Sequence, residues 1–286
     1  MLTQNNRSSR REFSSPQARA AIIQLGIGSH LLSGSGLGGR IVEKDALLFF
    51  KEKAKLPPRE DSASGMRAAI TRKTAESFAT IPHFYLNAEV EVSALIRLKD
   101  KLGPEFERMT GMRFSLTDLL IRAQAMALHC CTFANAIWKD GTIVNLTETN
   151  VGMVVSVPGG LLIPVIQNAS SIPLAHLRKV RFTAADEALA GKCLNSQMSC
   201  ATSLSNLGLG AAAEFSTVIP LGRSSILAVG NIKNRAWDVD GRLESRPTMK
   251  LTLSTDHRVL DRQPAAQYLD AIVSYLSSPY TLPLGS

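Results

Sequence analysis

The chain has 286 residues, of which 45% are hydrophobic and 20% are charged, the composition of an ordinary globular protein. No stretch approaches the ~20 consecutive apolar residues of a membrane-spanning helix, and the polar, basic start MLTQNNRSSRREF is not a secretory signal, so we expect no membrane insertion. The net charge of +8 comes from scattered bases without a helix-turn-helix, zinc-finger or aromatic RNA-binding pattern, so nucleic acid is not an expected partner.

The N-terminal part of the chain divides into three segments by composition. Residues 1–13 are polar and are predicted to be a disordered tail. Residues 14–50 are predicted to be a small helical domain, because Pro16 suits a helix start and Gly26 suits a helix end. Residues 51–65, KEKAKLPPREDSASG, have the charged, proline-containing composition of a linker.

The remaining residues, 66–286, mix helical and strand periodicity and are predicted to form one larger domain. Ser115 is a candidate helix cap, with Asp118 three residues later as in a capping box. Helices are predicted over 66–80, 93–109, 115–131, 172–192 and 267–278, and strands over 83–92, 142–146, 151–157, 161–166, 201–207, 224–230 and 249–254. Helices interleaved with many strands predict an α+β, two-layer mixed-sheet sandwich.

The stretch STDHRVLDRQPAA, residues 254–266, lies where a strand is predicted to end and the last helix to begin. A neutral imidazole at such a junction is a natural general base near neutral pH, so His257 is a candidate catalytic residue. Asp256 and Arg258 are expected to point away from the face of His257, as scaffold ions paired elsewhere. Asp261 can return to that face through a helical turn. The pattern leaves open that His257 is a satisfied structural histidine.

The stretch SLSNLGLGAAAEFSTVIP, residues 203–220, pairs a hydroxyl-rich strand with a glycine turn. The dinucleotide-binding GxGxxG pattern is incomplete, because Ala213 takes the place of its third glycine, so we expect no dinucleotide site. A strand serine beside such a turn can aim its hydroxyl into a cleft and stabilise a developing oxyanion. A serine bonded to its own backbone is the alternative.

Several motifs in this order resemble those of the 2-oxoacid dehydrogenase acyltransferases. STDHRVLDRQPAA resembles the family's DHRxxDGA signature, TSLSNLG resembles TISNLG, and TIPHFYLNAEVEVSALIRL is similar to TIPHFYLTxxVDxxxLxxL. SGSGLGGRIVEKDAL in the small domain is similar to the peripheral subunit-binding domain of these proteins. The resemblance covers roughly residues 14–283.

This resemblance implies a fold like that of chloramphenicol acetyltransferase, in a homotrimer that can build a larger core, with active sites between subunits. It places His257 at the catalytic histidine, Ser205 at the hydroxyl that stabilises the tetrahedral intermediate, and Asp261 at the acidic residue of the signature. It also implies that Ser205 and His257 meet across a subunit interface. Coenzyme A and dihydrolipoamide would enter from opposite sides, and no metal would be needed because a thioester is already activated.

The expected partners follow from the same resemblance. No lipoyl domain is recognised, so a separate lipoyl or other carrier protein is expected to supply the acyl group. The small N-terminal domain could dock a 2-oxoacid decarboxylase or a dihydrolipoyl dehydrogenase. The four cysteines form no CxxC pair, and Cys130 and Cys131, on an apolar helix, are predicted to be buried thiols. A reducing cytoplasmic setting is expected rather than the mitochondrial matrix.

The sequence departs from the family pattern at two points near these motifs. Arg262 replaces the glycine after Asp261, and Ser199 and Cys200 replace paired glycines before the TSLSNLG strand. Two alternatives therefore stay open beside dihydrolipoamide acyl transfer. One is a biosynthetic acyltransferase that uses an acyl-CoA or acyl-carrier thioester with another acceptor. The other is a non-catalytic core subunit.

Overall fold

The structure is a computed structural model that describes residues 14–26, 29–55, 65–192, 198–208 and 210–284. The chain forms two compact units, Met1–Ser62 and Ala63–Ser286, whose boundary falls inside the segment predicted as a linker. The predicted tail at 1–13, the middle of the predicted linker and Cys193 lie outside the described residues.

In its described residues, the first unit contains two α-helices, α1 (Pro16–Gln24) and α2 (Glu43–Lys55). Pro16 is the first residue of α1 as predicted, and the preceding Ser15 accepts a hydrogen bond from the Ala18 N–H at 3.1 Å. Gly26 has a φ of 62°, the left-handed conformation that ends helices. Helix α2 continues to Lys55, five residues into the predicted linker, because Lys, Glu and Ala are all good helix formers.

Asp45 fixes the loop that connects these two helices. Its carboxylate accepts hydrogen bonds from the Val42 N–H at 2.9 Å and from the Ser35 N–H and hydroxyl at 2.9 and 2.6 Å. These three hydrogen bonds hold the pKa of Asp45 below its ordinary value. The glycine-rich loop is therefore ordered by one side chain in the first turn of α2.

The described α-helices and strands of the second unit are α3 (Gly65–Thr80), β1 (His83–Glu91), α4 (Ser93–Thr110), α5 (Leu116–Cys130), β2 (Ala136–Lys139), β3 (Thr142–Asn145), β4 (Val151–Met153), β5 (Val155–Val157), β6 (Gly160–Leu162), β7 (Val165–Ile166), α6 (Leu174–Leu189), β8 (Thr202–Asn206), β9 (Ser225–Val229), β10 (Lys233–Val239), β11 (Arg242–Asp256) and α7 (Arg262–Ser277). Seven of these strands form a mixed sheet with the order β1-β11-β9-β8-β4-β7, and β10 pairs with the first half of β11. The pairs β8–β9 and β4–β8 are parallel and the other pairs in this sheet are antiparallel.

Helices α4, α5 and α7 cover the sheet, and their apolar side chains form the main core with those of β8, β9 and β11. The prediction of an α+β, two-layer mixed-sheet domain with a small helical unit before it is confirmed. In the described ranges, every helix is too short or too polar to cross a membrane.

Helix α5 is the central helix of the domain and is buried on nearly every side, from Asp118 to Leu128. This includes Arg122, whose terminal nitrogens donate to the carbonyls of Ser170 and Ile172. Burial lowers the pKa of Arg122 to about 10, so the guanidinium stays protonated at neutral pH.

The predicted capping box at the start of α5 is confirmed, because Ser115 accepts from the Thr117 N–H at 3.2 Å and Asp118 accepts from the Ser115 N–H at 3.0 Å.

Two predictions for this domain are corrected. The strands predicted over 151–157 and 161–166 are each broken in two, so that β4 and β7 stay in the main sheet while β5 and β6 form a separate hairpin. The prediction of two buried thiols is wrong for Cys130, which is exposed at the end of α5, whereas Cys131 is buried. Burial and the neighbouring Cys130 raise the pKa of the Cys131 thiol to about 11.

Asp118 allows a direct test of this packing. Its carboxylate is fully buried and faces Arg181 and Arg178, which are 13% and 11% exposed. Asp118→Ala leaves two nearly buried guanidinium groups without their counter-charge, so we expect the free energy of unfolding to fall by about 3 kcal/mol. The matched control, Glu105→Ala, removes an exposed carboxylate from Arg108. Urea denaturation should show no change for this control, and equal effects of both variants would contradict the packing described.

Candidate active site

The junction between β11 and α7 is a tight turn organised by Asp256. The Asp256 carbonyl accepts hydrogen bonds from the N–H groups of Val259 and Leu260, both at 3.0 Å. The Asp256 N–H donates to the Ser224 carbonyl at 2.8 Å. The predicted strand-to-helix junction is therefore present, and His257, the first residue after β11, donates its N–H to the Pro82 carbonyl at 3.0 Å.

Asp256 and Arg258 form a tight ion pair with each other. Arg258 Nε lies 3.0 and 3.2 Å from the two carboxylate oxygens of Asp256, and Nη2 lies 2.7 Å from Oδ2. The expectation that the two ions pair elsewhere is wrong, because the chain turns after Asp256 and brings residue 258 back over the carboxylate. The Arg258 guanidinium also stacks over Trp138, 5.3 Å from the ring centroid.

His257 points away from this ion pair into open space. Its side chain is 43% exposed and its ring lies 4.8 Å from the Phe84 ring, centroid to centroid. Its Nδ1 is 3.6 Å from Asp261 Oδ1, longer than a hydrogen bond, and no described side chain hydrogen-bonds to either ring nitrogen. The alternative of a satisfied structural histidine therefore does not fit, because the His257 side chain is neither buried nor hydrogen-bonded to any described residue.

Asp261 returns to the face of His257 as predicted. It precedes the first residue of α7, and its side chain is 81% exposed. A carboxylate at this distance favours the tautomer with the proton on Nδ1, which leaves the Nε2 lone pair free. Arg262 is exposed at the first position of α7, so this arginine does not disturb the turn.

Ser205 lies in β8 with only 8% of its surface exposed. No described group hydrogen-bonds to its hydroxyl, whereas the next residue, Asn206, is held on both sides. The Asn206 amide donates to Thr117 Oγ1 at 3.2 Å, and its carbonyl oxygen accepts from the Gly208 N–H at 2.9 Å. The glycine turn is thus stabilised by Asn206 and leaves the Ser205 hydroxyl available as a donor.

Ser205 and His257 do not meet within one chain. Ser205 is in register with Ala228 of β9, and Ala228 is in register with Thr252 of β11, five residues before His257. With a rise of about 3.3 Å per residue and a strand spacing of about 4.8 Å, the two residues are about 19 Å apart. A reaction that uses both side chains therefore needs one of them from a second copy of the chain.

His83 is a polar residue at this end of the sheet that is not among the predicted site residues. It is in register with Asp256, its Nδ1 donates to the Ile81 carbonyl at 2.8 Å, and its Nε2 accepts from the Ile219 N–H at 3.0 Å. With both nitrogens engaged, His83 is not available as a base. It anchors the segment 211–222 to the sheet.

Comparisons with known proteins find sequence relatives along most of the chain. The family model "2-oxoacid dehydrogenases acyltransferase (catalytic domain)" matches residues 57–284. The dihydrolipoyllysine-residue acetyltransferase component of the mitochondrial pyruvate dehydrogenase complex of Caenorhabditis elegans is 32% identical over 292 aligned positions, which cover 96% of this chain. The chain spans 57% of the length of that relative.

Solved structures show the same fold. A probable dihydrolipoamide acetyltransferase from Listeria monocytogenes superposes with a TM-score of 0.73 at 25% identity, covering 77% of this chain and 94% of that one. The dihydrolipoamide acetyltransferase of Azotobacter vinelandii gives a TM-score of 0.74 at 22% identity and covers 80% of this chain and 95% of that one. The expected acyltransferase fold is therefore confirmed.

A double-mutant cycle tests whether the buried ion pair fixes the turn that carries His257. Arg258→Met leaves Asp256 buried without a partner, so we expect it to lower the free energy of unfolding by about 3 kcal/mol. Adding Asp256→Asn removes the unpaired charge, so the double variant should lose less than the sum of the single variants.

Arg246→Met is the matched control for this cycle. Arg246 is 29% exposed, close to the 28% of Arg258, but its partner Glu244 is 45% exposed whereas Asp256 is fully buried. An exposed pair contributes at most about 1 kcal/mol. Additive losses in urea denaturation for Asp256 and Arg258 would show that the pair does not organise the turn.

Proposed function

We propose, because the chain belongs to the 2-oxoacid dehydrogenase acyltransferase family, that it transfers an acyl group between coenzyme A and a dihydrolipoyl thiol. The observation that carries this proposal is the His257 ring, which is 43% exposed at a rigid turn and has no hydrogen-bond partner among the described residues. A general base must be able to reach a thiol proton, and His257 meets that requirement.

The chemistry follows from three side chains. His257 Nε2 removes the proton from the incoming thiol, and the thiolate attacks the carbonyl carbon of the acyl thioester. The hydroxyl of Ser205 donates a hydrogen bond to the oxyanion that forms. When this intermediate collapses, the other thiol leaves as a thiolate and takes the proton back from the imidazolium. The Asp261 carboxylate, 3.6 Å from Nδ1, faces the ring nitrogen that keeps its proton throughout.

The spacing of these residues supports their assignment. The Azotobacter vinelandii enzyme is described with a serine, a histidine and an asparagine in its catalytic mechanism, with 52 positions from serine to histidine and four from histidine to asparagine. Ser205, His257 and Asp261 have the same two separations. This chain has an aspartate as the third residue, so it places a charge beside the imidazole where that enzyme has a neutral amide.

We also propose that the active unit is a ring of three copies, each giving His257 to a site completed by Ser205 of its neighbour. The separation of about 19 Å within one chain, estimated from strand spacing, supports this arrangement. A head-to-tail contact of this kind closes into a ring when its rotation is a third of a turn. The lipoyl group would come from a carrier, and the first unit would dock partner enzymes.

Loss of the base gives the first kinetic test. His257→Ala should lower kcat/KM for acyl transfer from acetyl-CoA to dihydrolipoamide by at least about a hundredfold, the usual contribution of a general base. His176→Ala, which removes another exposed histidine, is the control and should keep its activity. Activity of the wild type with amines but not with dihydrolipoamide would instead favour a biosynthetic acyltransferase, and no turnover with any acyl-CoA would favour a non-catalytic core.

Mixing two inactive variants tests the shared site. In a ring assembled from equal amounts of His257→Ala and Ser205→Ala chains, roughly a quarter of the sites combine an intact His257 with an intact Ser205. Co-expression should therefore restore about a quarter of the wild-type rate, whereas each variant alone stays inactive. No recovery in co-assembled rings, verified by two affinity tags, would show that both residues act within one chain.

A further inference from the structure

Arg223 is a nearly buried cation that the proposed mechanism does not use. It lies in the loop before β9 and is 8% exposed. Its Nε donates to the Sγ of Cys200 at 2.9 Å, which fixes the plane of the guanidinium. No described carboxylate lies within ion-pair distance, and no described group accepts from its two terminal nitrogens. A guanidinium in this state has lost most of its hydration without gaining a counter-charge.

A second polar group beside Arg223 also has no partner. The Ser203 hydroxyl is fully buried and makes no hydrogen bond. A side chain at Gly152 would begin 2.7 Å from this hydroxyl and 3.1 Å from Cζ of Arg223. The glycine therefore leaves space that the guanidinium occupies, and the guanidinium carbon and the Ser203 hydroxyl lie less than 6 Å apart. A buried hydroxyl without a partner is rare in folded proteins, so a ligand held by Arg223 is a natural partner for Ser203.

Arg223 itself offers one positive charge to such a ligand. Asp256 hydrogen-bonds through its N–H to the carbonyl of Ser224, the residue after Arg223, and its carboxylate is already paired with Arg258. One guanidinium fork with one hydroxyl matches a carboxylate in charge and geometry. A phosphate would bring more charge and more bulk to a side chain with 8% of its surface exposed.

Ser203 also links this pair of groups to the reaction centre. It precedes Ser205 by two residues on β8, so both side chains lie on the same face of the sheet, about 6.6 Å apart. A chain of four or five carbons spans that separation. We propose that Arg223 and Ser203 bind the distal carboxylate of a short dicarboxylic acyl group whose thioester carbonyl is at Ser205. This substrate class rests on the proposed acyltransferase function.

Selectivity between matched thioesters tests this inference. With dihydrolipoamide as acceptor, the wild type should have a higher kcat/KM for succinyl-CoA or glutaryl-CoA than for butyryl-CoA, which is similar in length but uncharged. Arg223→Met should lower the ratio of kcat/KM for the thioester with a charged acyl group to kcat/KM for butyryl-CoA. The ratio should fall by at least about tenfold, which corresponds to the loss of one charge-assisted hydrogen bond. Ser203→Ala should lower the same ratio by a smaller factor. Arg108→Met, which removes an exposed arginine, should leave the ratio unchanged.

Equilibrium binding separates this inference from the proposed function. Isothermal titration of the same thioesters without a thiol acceptor needs no turnover. Tighter binding of the dicarboxylic thioester that is lost in Arg223→Met supports the inference even if no acyl transfer is found. A different result would be that Arg223→Met weakens the binding of thioesters with charged and uncharged acyl groups equally, with no such effect on 3′-dephospho-CoA thioesters. That result would assign Arg223 to a coenzyme phosphate and overturn the inference. Unchanged selectivity, or loss of the wild-type oligomer in Arg223→Met, would overturn it as well.

Discussion

The buried carboxylate of Asp256 is the interaction on which the position of the candidate base depends. Asp256 is the last residue of β11, closes the turn through its carbonyl, keeps its N–H paired with Ser224 and neutralises Arg258. Because Asp256 and Arg258 satisfy each other, His257 between them has no partner on its own turn and projects outward. A buried ion pair is weak evidence for net stability, but breaking one is costly, so this pair fixes geometry more than it adds stability.

The long elements of the fold were predictable from the sequence because their periodicity extends over many residues. Helix α4 was predicted as one helix and remains continuous through Pro104. The short elements were not predictable in this way. Two hairpins were not predicted, although each carries an Asp-Gly pair with both residues at positive φ, Asp140-Gly141 and Asp240-Gly241, the turn typical of two-residue hairpins. That signal is present in the sequence, and so is Pro164, which has no N–H to donate to a ladder. The break at Val154 has no such local signal and depends on tertiary packing.

In the candidate site, too, some features can be predicted from the sequence and others are visible only in the structure. His257 could be identified from its neighbours and from a family resemblance, but only its 43% exposure and its missing hydrogen bonds remove the structural alternative. His83 has the same side chain as His257, and only its hydrogen bonds with Ile81 and Ile219 show that both of its ring nitrogens are occupied. Arg223 and Cys200 are 23 positions apart and form no motif. An unpaired buried cation is a property of packing, and no local pattern reveals it.

The sheet itself limits how a complete reaction centre can be assembled. Ser205 and His257 are attached to β8 and β11, which are joined through β9 by a continuous hydrogen-bonded ladder. A loop can close over a substrate, but a ladder of this kind cannot bend enough to remove a separation of about 19 Å, as estimated from strand spacing, without breaking its hydrogen bonds. If both side chains serve one reaction, as proposed, the base and the oxyanion donor come from different copies. Catalysis would then depend on assembly, and a change that weakens the contact between copies would abolish activity without touching either residue.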